Sequence, residues 1–233
     1  MTTTVETQAV PTDVRGRRFR AVALAVIAPI GPLAVAGIRA VLPYQTTDGN
    51  ADIAAGIAAN QSAESTVLWL GLLASLTLLV GVFVVSTVAV RGAPVLGTIG
   101  AVLAFAGYSS LFFAILPPDM AGLAAVQAGA DHATTTGILN QLAAHPAAAF
   151  ATGAFVLGHI LGTVLLGAAM WKGGLVPAWA ALVLIVSQPF HLVFAVIAPN
   201  GLLDAAAWTL TAIGFAAAGL ALLRSSTRVT ALG

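Results

Sequence analysis

The chain predicts an all-α fold, a polytopic membrane protein built as a six-transmembrane-helix bundle. Three observations carry that reading. Hydrophobic residues fill 59% of the 233 positions and charged residues only 7%, against roughly 25% charged in a soluble domain, and the mean hydropathy is +1.00. Six segments are long enough to cross a ~30 Å hydrocarbon layer, which takes about 20 apolar residues. Finally, the basic residues gather on one side of those segments.

The same composition closes off other classes. Cysteine is absent, so disulfides, thiolate metal sites, iron–sulfur clusters and thiol nucleophiles are excluded. A net charge of +1 makes no case for nucleic acid as a partner; the expected partner is the lipid bilayer. Usage rich in Ala, Val and Gly and poor in Lys points to a bacterium, and hence to its plasma (inner) membrane.

The spans read as 19–43, 67–90, 95–116, 147–171, 175–198 and 202–223, each bounded by charge, Pro, Gly or a polar run. In lipid the backbone must satisfy itself, so these are helices; strands would need alternating segments about half as long. Arg15, Arg17, Arg18 and Arg20 precede the first span, Arg91 and Lys172 lie in the short turns, and Arg224 and Arg228 follow the last. Six acids (Asp48, Asp52, Glu64, Asp119, Asp131, Asp204) fall on the other side. The positive-inside rule then makes both termini cytoplasmic. Trp69 and Trp208 are expected in an outer aromatic belt, Trp171 and Trp179 in an inner one. Residues 1–18 read as a disordered cytoplasmic tail, and 224–233 as a second tail. The start "RGRRFRAVALAVIAPIGPLAVAG" is similar to a signal peptide, but cleaving it would leave an odd number of spans.

The odd-numbered spans share punctuation. Arg15 to Pro43, Arg91 to Pro117 and Lys172 to Pro199 are 28, 26 and 27 residues apart. "FFAILPPD" at 112–119 returns as "VFAVIAPN" at 193–200. This suggests three repeated helical hairpins; the plainer reading is that bases and prolines mark helix ends. Two connections, 44–66 and 117–146, far exceed the usual two to eight residues between helices. Ile53/Ile57 and Ile138/Leu139/Leu142 give each a short helical pattern, suited to lying on the outer face or capping the bundle.

Polar residues inside the spans are functional hypotheses by default. His159 sits at the midpoint of span four, with Thr152 and Thr163 on its face of the helix. Gly158 and Gly162 form a GxxxG pair that permits close helix approach. In span five, "SQPFH" (187–191) places Gln188 and His191 on one face, and Pro189 should kink the helix. The repeat aligns Tyr108, Ser109 and Ser110 of span three with this stretch. The expected site is an outward-opening pocket formed by His159, Gln188, His191, Thr163, Thr152, Tyr108, Ser109 and Ser110; the competing reading is a hydrogen-bond cluster that merely fixes packing. Arg39 can snorkel to the interface or pair with Asp204. Pro29 and Pro32 should bend span one.

These residues limit the chemistry. His145 and His159 have the 14-residue spacing of membrane cytochromes b, but positions 14 away from His191 are Pro177 and Ala205. A single b-type haem between His159 and His191 is the redox alternative. Asp131, His132 and His145 lack a further clustered ligand, so no metal is expected. "GYSS" (107–110) is similar to the serine stretch of rhomboid proteases, but Ser110 replaces their glycine, and no catalytic residue is assigned. No Asp or Glu is expected deep in a span, so a carried proton would have to sit on His159 or His191.

"GHILGTVLLGAAMWKGGLVPAWAALVL", from Gly158, resembles a family of uncharacterised six-span bacterial integral membrane proteins. The resemblance covers mainly spans four and five and implies a six-helix membrane domain, without an activity. The expected role is therefore non-enzymatic, binding or transporting a small-molecule or lipid-like ligand through the pocket without a cofactor. The further alternative is a structural subunit, as a homo-oligomer or with a partner membrane subunit, using the small residues of span four and "GFAAAG" (214–219).

Overall fold

The computed structural model describes residues 14–231 except Ile115, with side chains from 16 to 225. It is helical throughout, with no strand among the described residues, and has six helical stretches long and apolar enough to cross a membrane. Span one is α1 (Val14–Ile27) and α2 (Ile30–Val41); span two is α4 (Gln61–Gly92). Span three is α5 (Pro94–Ala114), continued by α6 (Leu116–Gln127); span four is α8 (Pro146–Gly173). Span five is α9 (Ala178–Leu192) with a π-helical turn, Val193–Ile197, and span six is α10 (Gly201–Ala231). Each span packs on its neighbours in chain order and the sixth returns to the first, so the six close into a ring. This is a multi-pass membrane architecture.

Helix ends explain most departures from the expected boundaries. Hydropathy sees only the apolar part of a helix, whereas capping sees its end. Asn60 caps α4 by accepting from the Ala63 N–H at 3.2 Å, so the helix starts six residues before its apolar run. Asp131 caps α7 (His132–Ala144), accepting from Thr134 N at 2.7 Å, and His145 caps α8 through Nδ1, with Pro146 in the first turn. Asp131 and His145, weighed above as metal ligands, are thus occupied as caps. The Thr134 N–H holds the Asp131 carboxyl below its ordinary value of 3.8, so this cap is complete above that pH and is lost as pH falls further. Of the expected N-terminal tail, 1–13 lie outside the described residues, but 14–18 are already helix; α10 likewise runs through most of the second tail.

Both long connections contain helices, and these cap one end of the bundle. α3 (Asn50–Ala59), α6 and α7 pack on one another, with Ile57 and Leu139 buried between them. Asn50 donates to Asn140 at 2.8 Å across the cap. The opposite end carries Arg17, Arg18, Arg20, Arg91, Lys172 and Arg224.

Inside the ring, alanines and glycines pack around a few large buried side chains such as Trp208, Tyr108 and Phe215, while many other large apolar side chains face out. Ala28, Ala74, Ala104, Ala169, Ala181 and Ala218 are buried, while Phe19, Leu76, Phe83 and Leu157 are exposed and Phe150 is 79% exposed. That distribution suits a protein in lipid, where outward apolar surface carries no penalty and tight packing holds helices together. The closest seam joins α5 to α8. A Cβ on Gly107 would stand 2.2 Å from the His159 backbone nitrogen, and one on Gly162 would stand 2.3 Å from that of Ala104. The GxxxG pair is therefore filled by the chain's own third span. Proline acts on span one as expected, dividing α1 from α2 at Ala28-Pro29.

Gly107→Ala should lower the melting temperature of the detergent-solubilised protein, since overpacking costs typically about 1–3 kcal/mol. Gly153→Ala, with nothing within 4 Å of the new carbon, should leave it unchanged or raise it slightly.

Candidate functional site

The seam sets His159 at the middle of α8, fully buried. Its ring stacks on Phe155 (centroids 4.1 Å, planes 12° apart) and faces Trp208 of α10 (5.9 Å, 11°). Nδ1 lies 2.5 Å from the Phe155 carbonyl oxygen. A carbonyl only accepts, so Nδ1 carries the proton, and the neutral ring leaves its lone pair on Nε2. That Nε2 has no partner.

A chain of charge lies beside it. Gly201 opens α10 against the Arg39 carbonyl, an approach that a Cβ would block at 2.6 Å. Asn200 Oδ1 accepts from Leu203 N at 3.0 Å, capping the helix. This brings Asp204, wholly buried in the first turn of α10, against Arg39 of α2, whose Nε donates to Asp204 Oδ2. Arg39 Nη2 donates to Thr46. The helix N-terminus also favours a negative charge there. The other carboxylate oxygen, Oδ1, lies 2.5 Å from His191 Nδ1, and Trp208 Nε1 lies 3.1 Å from the same nitrogen. One ring nitrogen cannot donate to Asp204 and accept from Trp208 together. With Asp204 paired to Arg39 as a carboxylate, donation from Nδ1 to Asp204 is the stronger, charge-assisted contact.

A cavity of about 160 Å³ opens against these groups. Its walls are mostly apolar, among them Val35, Ala74, Phe112, Phe155 and Leu192. Arg39, His159, His191 and Trp208 form the polar part, and the exposed Thr46, Thr152 and Val196 line it as well. Of the expected pocket residues, His159, His191 and Thr152 line this cavity. The others do not. Tyr108 and Thr163 are buried behind the His159 ring, hydroxyl to hydroxyl at 3.0 Å. Gln188 donates to Thr211 at 2.9 Å in a separate knot with Ser187. Helical spacing puts Gln188 and His191 on one face, but α10 meets them at different heights, through Thr211 and through Asp204. Ser110 bonds to the Ala106 carbonyl, and neither it nor Ser109 lines the cavity. Ser187 donates to the Leu184 carbonyl at 2.8 Å.

Sequence reasoning missed the burial of three residues, Trp208, Glu64 and Asp119. Trp208, placed above in the outer belt, is buried beside both histidines, while Trp69 is 71% exposed and Trp171 and Trp179 also face out. Acids are not confined to the surface: Asp204, Glu64 and Asp119 are all buried. Asp119 accepts from the Tyr44 hydroxyl, but its Oδ2 and both Glu64 oxygens have no partner. Burial first, and the Asp119 charge second, hold the Tyr44 phenol far above its ordinary value, so it remains a donor. The repeat of Asn-Gln at 60–61 and 140–141 marks this end of the bundle, yet nothing local in "SAEST" or "LPPDM" signals burial.

Compared with known proteins, the chain matches no family model, no curated protein and no solved structure.

Asp204→Ala should destabilise the fold by about 3–5 kcal/mol, the usual result of stranding a buried charge. The Arg39→Ala, Asp204→Ala double variant should lose less than the sum of the two. Glu64→Gln, which replaces a buried carboxyl without a partner by an amide of the same shape, should leave stability equal or higher. Thermal melts of the four variants check all three statements.

Proposed function

We propose that this protein binds, and carries within the membrane, a small or lipid-like molecule through the cavity beside His159. The observation that carries the reading is the cavity itself, an apolar chamber of about 160 Å³ whose lining includes Arg39, paired to Asp204 behind it, His191, Trp208 and His159. Ligand sites have this makeup, apolar walls with a few convergent polar groups. A cluster serving only to fix helix packing would satisfy its own polar atoms and leave no chamber. By the positive-inside rule the capped end faces outward, so the cavity is reached from outside, in the plasma (inner) membrane of a bacterium. The resemblance of spans four and five implies a fold alone and adds nothing to this role.

The two alternatives find less support. The His159 and His191 rings stand 5.2 Å apart, tilted by 59°, which leaves no room for a macrocycle between them, and Phe155 and Trp208 flank the His159 ring. A haem held by this pair does not fit. The small-residue stripes that suggested a structural subunit are spent inside the chain, Gly158 and Gly162 on α5, Gly214 on Leu184 and Gly219 on Ala25.

With Trp69, Trp171 and Trp179 changed to Phe, Trp208 reports on the chamber alone. Benzene should quench it saturably in nanodiscs, and Ala74→Leu, which grows into the cavity, should weaken that binding at least tenfold. Binding unaffected by Ala74→Leu, and by both His159→Leu and His191→Leu, would remove the site.

A further inference from the structure

The end of the bundle opposite the cap carries positive charge that the described chain does not answer. α1, α4 and α10 meet near it, held close by small residues. A Cβ on Gly81 would stand 2.6 Å from the Ala28 carbonyl oxygen, and one on Gly219 would stand 2.8 Å from Ala25 Cα. Beyond these contacts, toward the basic end, the three helices leave an open groove. Arg17 and Arg20, three apart and so on one face of α1, line it together with Arg91 of α4. Leu24, Phe83 and Leu222 line it as well. At 1.5 Å per residue, Leu24 lies about 6 Å deeper in the membrane than Arg20, and Phe83 about 12 Å deeper than Arg91. The groove is thus cationic at the surface and apolar further in. Phe83 is 59% exposed, so the apolar part is open to the surrounding lipid.

No Asp or Glu among the described residues lies at this end. Asp48, Asp52, Glu64, Asp119, Asp131 and Asp204 all belong to the capped end, and the ion pairs among the described residues involve none of the three arginines. Arg91 Nη1 donates to the Ser225 hydroxyl at 3.3 Å, which ties α4 to α10 and uses one of the five N–H donors of a guanidinium. Topology asks only that basic residues lie on this side. Arg18 and Lys172 meet that demand without lining the groove; three arginines on one concave surface above an apolar floor go beyond it.

We propose that this groove binds one anionic phospholipid of the adjoining leaflet, its phosphodiester held by Arg17, Arg20 and Arg91 and the start of an acyl chain lying over Leu24, Phe83 and Leu222. The site is separate from the cavity beside His159 and stands or falls without it. The planar fork of an arginine gives a phosphate two hydrogen bonds at once, and basic pockets between membrane helices on the cytoplasmic side take such headgroups. A soluble anion would answer the arginines but leave the apolar part uncovered. A zwitterionic lipid would bring its own ammonium against three guanidinium groups.

Native mass spectrometry of the full chain in detergent tests this, with phosphatidylglycerol and phosphatidylcholine of identical acyl chains as probes. Both carry the phosphodiester, and only the first is anionic. The first phosphatidylglycerol bound should be held about tenfold more tightly than phosphatidylcholine, since each basic residue near an anionic headgroup is worth about fivefold. Arg20→Gln and Arg91→Gln should each weaken it by about that fivefold. Lys172→Gln, which removes the same charge from the same end outside the groove, should leave it unchanged. If one groove variant fails to fold the other serves, and the comparison of lipids in the unaltered chain needs neither. Equal affinities for the two lipids overturn the proposal. So does a loss in Lys172→Gln as large as in the groove variants, which reduces the preference to a general attraction of the basic face. Displacement of the lipid by millimolar inorganic phosphate makes the groove a soluble-anion site and overturns it as well.

Discussion

The contact between α5 and α8 is the constraint that everything around the site obeys. Gly107 and Gly158 bring two backbones together where any side chain would separate them. In lipid there is no hydrophobic force between helices, so this closeness, with its many small dispersion contacts, is what holds the pair. It also fixes His159, the next residue on, in rotation and depth. The imidazole has one direction left, toward Phe155, Trp208 and His191, and its hydrogen bond to the Phe155 carbonyl locks the ring. The cavity exists because α9 and α10 do not press into the space beside that ring as closely as α5 presses from behind.

Electrostatics closes the other side. Arg39 and Asp204 come from the first and last spans, and their pairing holds α2 against the start of α10. A buried ion pair of this kind gives little net stability compared with apolar packing, but it is intolerant of losing one member. What the structure shows is geometric: the ring that brings span six beside span one places the two charges in contact. His191 takes its orientation from the same carboxylate, and the Trp208 indole lies against the His191 ring. The site is therefore assembled from a packing seam on one side and a charge pair on the other.

The spans, their number and the interest of His159, His191 and Arg39 were all legible in the sequence, because each rests on a local signal: apolar length, a polar residue among apolar ones, a charge near a helix end. Gly158 and Gly162 were legible as a close-packing motif, though not which helix they meet. What could not be read is what depends on partners far away in the chain. Trp208 sits near a helix end, as a belt tryptophan would, and only the position of α9 makes it a core residue. Glu64 and Asp119 lie in stretches that read as polar loop; the short helical patterns at Ile53/Ile57 and Ile138/Leu139/Leu142 announce capping helices, but nothing local says that these two acids are buried beside them. Gln188 shares a helical face with His191, but α10 meets each with a different residue.

The distance along the chain between Arg39 and Asp204, 165 residues, has a consequence for how the protein is made. Ribosomes extend chains at roughly 5–20 residues per second, so the first span waits about ten seconds or more after its cation emerges before the answering carboxylate exists. During that interval Arg39 must stay at the interface, its long stem letting the guanidinium reach water, and the first span cannot settle at its final depth. Completion of the bundle is thus tied to arrival of the last helix. A chain truncated before Gly201 would keep an unanswered charge at the membrane surface, a feature by which quality control can tell an unfinished copy from a finished one.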